Sequence, residues 1–278
     1  MTTASAETNR GSGSPLPIAE RGDVGRAARA RAGLVWTLVR TDFKVRYHGT
    51  LSGFVWALLK PLAMFVVLVA VFSVIFSTDP NYRLNLVIGL FLWDFFAEGT
   101  RTGMVALHAR GFLLTKARCP SWVLVVTSLS NALITLAVFA LMIVAFLTLT
   151  HRPPGAAAVA LFLTYLGGLF LVVVGISFGS SVLFLRYRDL NQVWDVVVQA
   201  GFFVAPVIYP LGILPERLHP LIYCWAPTPF IQFSRAVLVD GVFPGARAHA
   251  ALAAGTALIL VAGLVVFRRL GPRSAEYL

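Results

Sequence analysis

Polar punctuation divides the chain into six long apolar stretches after an N-terminal polar region. The stretches run over about 52–76, 84–104, 121–150, 156–185, 193–209 and 248–267. Most approach or exceed the roughly 20 residues that a helix needs to cross a bilayer. Short polar turns separate them: STDPNYR before the second, HRPPG before the fourth and RYRD before the fifth. The pattern predicts an all-α integral membrane protein with six spans over residues 48–278. Pro61, in the first stretch, removes one helical hydrogen bond and predicts a kink.

Two regions depart from the spanning pattern. Leu34–Arg46 reads LVWTLVRTDFKVR, with Thr37, Arg40, Thr41 and Lys44 on one helical arc and apolar residues over most of the other. It is too short and too charged to span, so it predicts a helix over 34–47 lying in the membrane interface. Between the fifth and sixth stretches, Pro210, Pro215, Pro220, Pro227 and Pro229 divide a region over about 210–242 into short apolar pieces. Irregular backbone at membrane depth is tolerated only against protein or a water-filled cavity. Two short helices packed over the outer end of a pore are therefore expected there. Residues 1–33 read as a disordered cytoplasmic tail without the apolar core of a signal peptide. Arg26, Arg29 and Arg31 suit anionic lipid headgroups, or a plain solvated tail.

Composition agrees. Of 278 residues, 58% are hydrophobic and 13% charged, against about 45–50% and 25% in soluble domains. This excludes an ordinary soluble enzyme, a disordered regulator and a secreted disulfide scaffold. The net charge of +11 might suggest nucleic acid. Its distribution instead follows the positive-inside rule: most Lys and Arg fall in the N-terminal region, the segments after the second and fourth spans, and the C-terminus. Both termini are thus expected in the cytoplasm of a plasma-membrane protein, with no nucleic acid bound. Cys119 and Cys224 fall on opposite sides of this topology, and no Cys/His group has metal-ligand spacing.

Candidate chemistry is sparse. The chain has no G-x-x-x-x-G-K-[ST] loop, so any ATP is expected on a partner. GISFG at Gly175–Gly179 matches a serine-nucleophile pattern, but the five histidines all lie outside the spans or at their ends. The same residues form G-x-x-x-G, which favours close helix packing. Asp94, Glu98 and Arg101 are the costliest charges within a span, and a Glu98–Arg101 pair would offset part of that cost. They read equally as a polar pathway or as an interhelical ion pair. Lys60 is placed to snorkel to the cytosolic interface. Trp93, Phe202, Phe203 and Tyr209 belong to aromatic concentrations that fit either a membrane belt or contact with sugar rings.

Several motifs, in order, resemble a known family. TDFKVRYHGTLSGFVWALLKPLAMFVV at Thr41–Val67 carries a W-x-L-L-x-P core at Trp56, Leu58, Leu59 and Pro61. RYRDL follows at Arg186–Leu190, APVIYP at Ala205–Pro210, and PTPFIQFSRAVL at Pro227–Leu238. Together they resemble the membrane subunit of ABC-type polysaccharide exporters, with Thr228 where that family's N-P motif has Asn. The resemblance implies a homodimeric conduit with two ATP-binding subunits below it, ATP and Mg held on those subunits, and a lipid-linked glycan as cargo. It implies ATPase coupling through Arg40, Asp42, Lys44, His108, Arg110, Lys116 and Arg118. It implies a pore or gate involving Lys60, Trp93, Asp94, Glu98, Arg101, Phe202, Phe203, Tyr209 and Arg235. The resemblance implies an O-antigen, a teichoic acid or a cell-wall galactan as cargo, and the Ala/Arg/Val/Gly-rich usage of a high-GC bacterium favours an actinobacterial galactan. A drug or small-lipid exporter, an intramembrane enzyme and an ion-coupled transporter remain as alternatives.

Overall fold

The computed structural model describes residues 33, 37, 39–41, 53–76, 79–112, 120–150 and 153–271. The described residues contain helices and no strand. The long helices are α1 (Gly53–Ile75), α2 (Tyr82–Ala109), α3 (Ser121–Leu149), α4 (Ala156–Arg186) and α5 (Leu190–Val204). Two short helices follow, α6 (His219–Tyr223) and α7 (Thr228–Arg235), and a single π turn (Ala236–Asp240) leads towards α8 (Ala246–Leu270). Helices α3, α4 and α8 are long and apolar enough to cross a membrane.

The bundle is built around α2 and α4. Helix α2 packs along α4, α3 and α1, and α4 also packs along α8. From Leu84 to Ala97, α2 is buried on almost every side, as expected of a helix apolar around its circumference. Phe91 stacks on Phe139 of α3 at 4.7 Å between centroids. By contrast, α1 exposes Val66, Val67, Val71 and Val74, and α8 exposes Leu258 and Val261. Apolar side chains turned outward along whole helices fit contact with lipid.

The α4–α8 contact rests on missing side chains. Gly175 approaches α8 so closely that a Cβ there would lie 2.8 Å from the Leu260 Cα. A Cβ on Gly263 would collide with the Gly175 carbonyl oxygen. The G-x-x-x-G at Gly175–Gly179 is thus a helix-packing motif. Ser177 within it is fully buried, and its Oγ has no hydrogen-bond partner among the described residues, so nothing there activates a nucleophile.

Three expectations need correction. The basic segment expected as a loop from Val105 is helical to Ala109, which places His108 in the last turn of α2. The fifth stretch, expected to Tyr209, stops being helical at Val204. At about 1.5 Å per residue its 15 residues extend about 22 Å, short of a bilayer core of about 30 Å. The cause is Pro206, which cannot donate a helical hydrogen bond and disfavours helical backbone at Ala205. Third, Arg101 takes Asp195 as its ion-pair partner rather than Glu98.

Two short α-helices do occupy the expected region between α5 and α8. Of the 34–47 segment, residues 37 and 39–41 are helical, and Arg40 is exposed. Asp42, Lys44, Lys116 and Arg118 lie outside the described residues, as do most of residues 1–33 and Cys119.

Candidate functional site: a groove between α1, α2 and α5

Helices α1, α2 and α5 enclose a cavity of about 820 Å³. Lys60, Pro61 and Met64 line it from α1, Trp93, Asp94 and Arg101 from α2, and Asp195, Gln199, Phe202 and Phe203 from α5. Six residues expected at a pore or gate therefore share one wall system: Lys60, Trp93, Asp94, Arg101, Phe202 and Phe203. Spacing explains the α2 contribution. Trp93, Ala97 and Arg101 recur every four residues, with Asp94 beside them, and so face one side of the helix.

One part of the groove is aromatic. Trp93 lies edge-on to Phe202 at 5.7 Å, and Phe202 edge-on to Phe203 at 5.5 Å. Trp225, from the turn before α7, approaches Trp93 at 6.4 Å and Phe96 at 6.1 Å. Offset and edge-on pairs of this kind add to the area that rings bury.

The other part is charged. Arg101 Nε donates to Asp195 Oδ1 at 2.6 Å, and both side chains stay partly exposed, at 37% and 46%. Trp194 Nε1 donates to Thr100 Oγ1 at 3.0 Å, a second tie between α5 and α2. Glu98 accepts from Thr102 Oγ1 at 3.4 Å and does not line the groove. The site thus joins a ring-lined apolar stretch to charges that reach solvent, an arrangement suited to an amphiphilic ligand.

Two other expected gate residues sit elsewhere. Arg235 is 5% exposed and lies at the end of the bundle that carries the α1–α2 turn. Its Nε donates to the Asn85 carbonyl at 2.8 Å, Nη1 to that of Pro206 at 2.5 Å and Nη2 to that of Val207 at 2.7 Å. Where α5 breaks, the backbone loses its helical partners, and this guanidinium replaces them. Gly89 makes room: any Cβ there would collide with Arg235 Nη2. Tyr209 acts on the same break. Its hydroxyl donates to the Phe203 carbonyl at 2.9 Å, satisfying an orphan acceptor in the last turn of α5.

At the opposite end, Arg188 in the α4–α5 turn approaches both ring nitrogens of His108, at 2.9 and 2.7 Å. Arg110 folds back onto α3, donating from Nη1 to Thr127 Oγ1 at 2.5 Å and to the Leu124 carbonyl at 3.2 Å. Of the residues expected to contact an ATPase, His108 and Arg110 are therefore close together at this end. Sequence reasoning did not assign Asp195, Trp194, Trp225 or Gly89 to a site. Their partners lie far away in the chain, and nothing local to them announces the contact.

Apolar helices long enough to cross a membrane, with a groove between them lined by rings and charges, provide the elements that a membrane transport subunit uses. Residues 33–238 match the ABC-2 type transporter family, and the chain belongs to it. It is 29% identical over 253 residues to the O-antigen export system permease protein RfbA of Myxococcus xanthus, covering 88% of this chain and 95% of that one. A Klebsiella pneumoniae protein of the same description is 25% identical over the same shares. The polysialic acid transport protein KpsM of Escherichia coli is 21% identical over 239 residues, covering 84% of this chain and 92% of its own.

Proposed function

We propose that this chain is the membrane subunit of an ATP-driven exporter that carries a lipid-linked polysaccharide across the cytoplasmic membrane. The observation that carries this reading is the similarity to O-antigen and polysialic acid export proteins along 84–88% of the chain. The groove supports it. Aromatic rings suit the apolar faces of sugar rings, and the paired charges farther along the same helices keep that part of the groove hydrated.

In this reading six segments cross the membrane, the fifth completing its crossing with the non-helical residues 205–209 after α5; both termini face the cytoplasm, and two copies form the conduit. Two ATP-binding subunits dock below and hold ATP and Mg. Arg40, Asp42, Lys44, His108, Arg110, Lys116 and Arg118 form the docking region. Helix α2 is the transmitter, because its 28 residues carry Trp93, Asp94 and Arg101 of the groove and His108 near its end. Displacement at the docking end moves the groove wall. ATP shifts the equilibrium between two arrangements only by its difference in affinity for them. Our finer reading of the cargo is an actinobacterial galactan on a polyprenyl diphosphate.

The test is a host strain lacking this chain. Glycan linked to lipid should accumulate on the cytoplasmic side and return to the surface when the chain is restored. Charge reversal at Arg110, Lys116 and Arg118 should block that return while the protein still inserts. Unchanged surface glycan in the deletion strain would overturn the export reading. Accumulation of a glycan without galactose would overturn the galactan reading alone.

A further inference from the structure

Four charged residues line the groove between α1, α2 and α5, and only two of them are joined. Arg101 of α2 and Asp195 of α5 form an ion pair. Lys60 of α1 and Asp94 of α2 line the same cavity. Neither has a hydrogen bond or an ion pair among the described residues. Lys60 is exposed and Asp94 half-buried. Ionisable side chains within spanning segments pair with one another or face water. The groove holds one pair made and one pair open, with α2 supplying a member to each.

The surroundings of Asp94 leave Lys60 as its partner. Arg101 lies two helical turns along α2, and its Nε already donates to Asp195. Glu98 lies one turn along, and a like charge at i+4 disfavours two ionised carboxylates without a cation between them. Lys60 is within electrostatic reach of Asp94 across the cavity. Its ammonium rides on a flexible four-carbon stem.

Helix α1 is also the wall that can move. It packs along α2, while Leu59, Met64, Val66, Val67 and Val71 are exposed. Pro61 follows Lys60 inside the helix. It has no N–H for the Ala57 carbonyl, which gives α1 a bending point next to the lysine. A bend there moves Lys60 relative to Asp94 without unpacking the rest of the bundle.

We propose that Lys60 and Asp94 form an ion-pair latch that closes the groove, and that this structure holds the latch open beside the standing Arg101–Asp195 pair. Closing draws the Lys60 turn of α1 onto α2 and narrows the groove between them. Opening frees the rings of Trp93, Phe202 and Phe203 for cargo. The latch's place in a transport cycle rests on the export reading above.

The test uses the full-length chain in lipid nanodiscs and a water-soluble carbodiimide. This reagent joins a lysine amine to a carboxylate only where the two touch, forming an amide as the carbodiimide takes up water to become a urea. Lys60 is one of three lysines in the chain, so peptide mass spectrometry maps its product directly. A Lys60–Asp94 amide should form, and should be lost in Asp94→Asn and in Lys60→Arg. In the host, Lys60→Asp and Asp94→Lys should each lower surface glycan at least fivefold per inserted chain, and the double swap should recover at least a third of it. An amide from Lys60 to Asp195 or Glu98 in place of Asp94 would overturn the latch. So would no amide at Lys60 while an amine-reactive ester still labels it. Asp94→Asn exporting as well as the wild type, or a double swap no better than either single, would also overturn it. A Lys60–Asp94 amide in a chain whose deletion leaves surface glycan unchanged would sink the export reading and leave the latch standing.

Discussion

Arg101 and Arg235 both sit in an apolar helical bundle, and the structure uses them in opposite ways. Arg101 stands at the groove with one carboxylate partner on another helix, and both members of the pair reach solvent. Arg235 is enclosed, and its guanidinium fans out to three backbone carbonyls. A single carboxylate pair in partial solvent is exchangeable and contributes little to folding. A buried fork that satisfies otherwise orphaned carbonyls is part of the backbone's own hydrogen-bonding. The charge that looks costly in the middle of a span is the adaptable one. The arginine in a Pro-rich connection is the fixed one.

The largest effect should follow loss of the fixed arginine. Arg235→Ala leaves the Pro206 and Val207 carbonyls without donors, each at about 1–3 kcal/mol when buried. Little monodisperse protein should survive extraction in mild detergent. Arg235→Lys keeps the charge but loses the fork, and should give an intermediate yield. Equal yields for Arg, Lys and Ala would remove the distinction between the two arginines.

The next effect lies beneath it. Gly89→Val should displace the guanidinium and lower thermal stability by about 1–3 kcal/mol, the usual range for overpacking. A melting curve like that of the wild type would show that Arg235 has room to move. Tyr209→Phe, which removes only the hydroxyl donated to the Phe203 carbonyl, should cost about 1 kcal/mol. Its thermal midpoint should fall by a few degrees at most.

The smallest effect on stability, and the sharpest on transport, belongs to the groove. Arg101→Asp and Asp195→Arg should each change stability by less than about 1 kcal/mol, given the exposure of both side chains. Each alone should impair delivery of glycan to the cell surface, and the double swap should recover part of it. Equal export by singles and double would return the pair to a structural role.

Much of the fold is legible from local pattern. Helix α3 starts at Ser121 and α4 at Ala156, as the polar turns before them indicate. The G-x-x-x-G at Gly175 marks a packing face because it acts through the absence of side chains on its own helix. Contacts across the chain are not legible in this way. Arg101 meets Asp195 across 94 positions, and Arg235 meets Asn85 across 150. Spacing on α2 favours Glu98 as the partner of Arg101, because i and i+3 share a face. Tertiary packing brings a carboxylate from α5 to Arg101 instead. The end of α5 is a middle case. Pro206 announces a break, but an unbroken apolar run to Tyr209 reads as a span until Arg235 is seen to hold the break open. In the candidate site, the α2 face follows from spacing, whereas α1 and α5 join it only through the fold.

On the proposed export function, this chain forms the membrane part of an exporter whose ATPase is a separate protein. The most direct test is purification of the tagged chain from native membranes in a gentle detergent, with quantitative mass spectrometry of what remains bound. The expected result is an ATP-binding subunit with a Walker loop in a one-to-one ratio with this chain. A clean oligomer of this chain alone, under conditions that keep a control exporter intact, would contradict it.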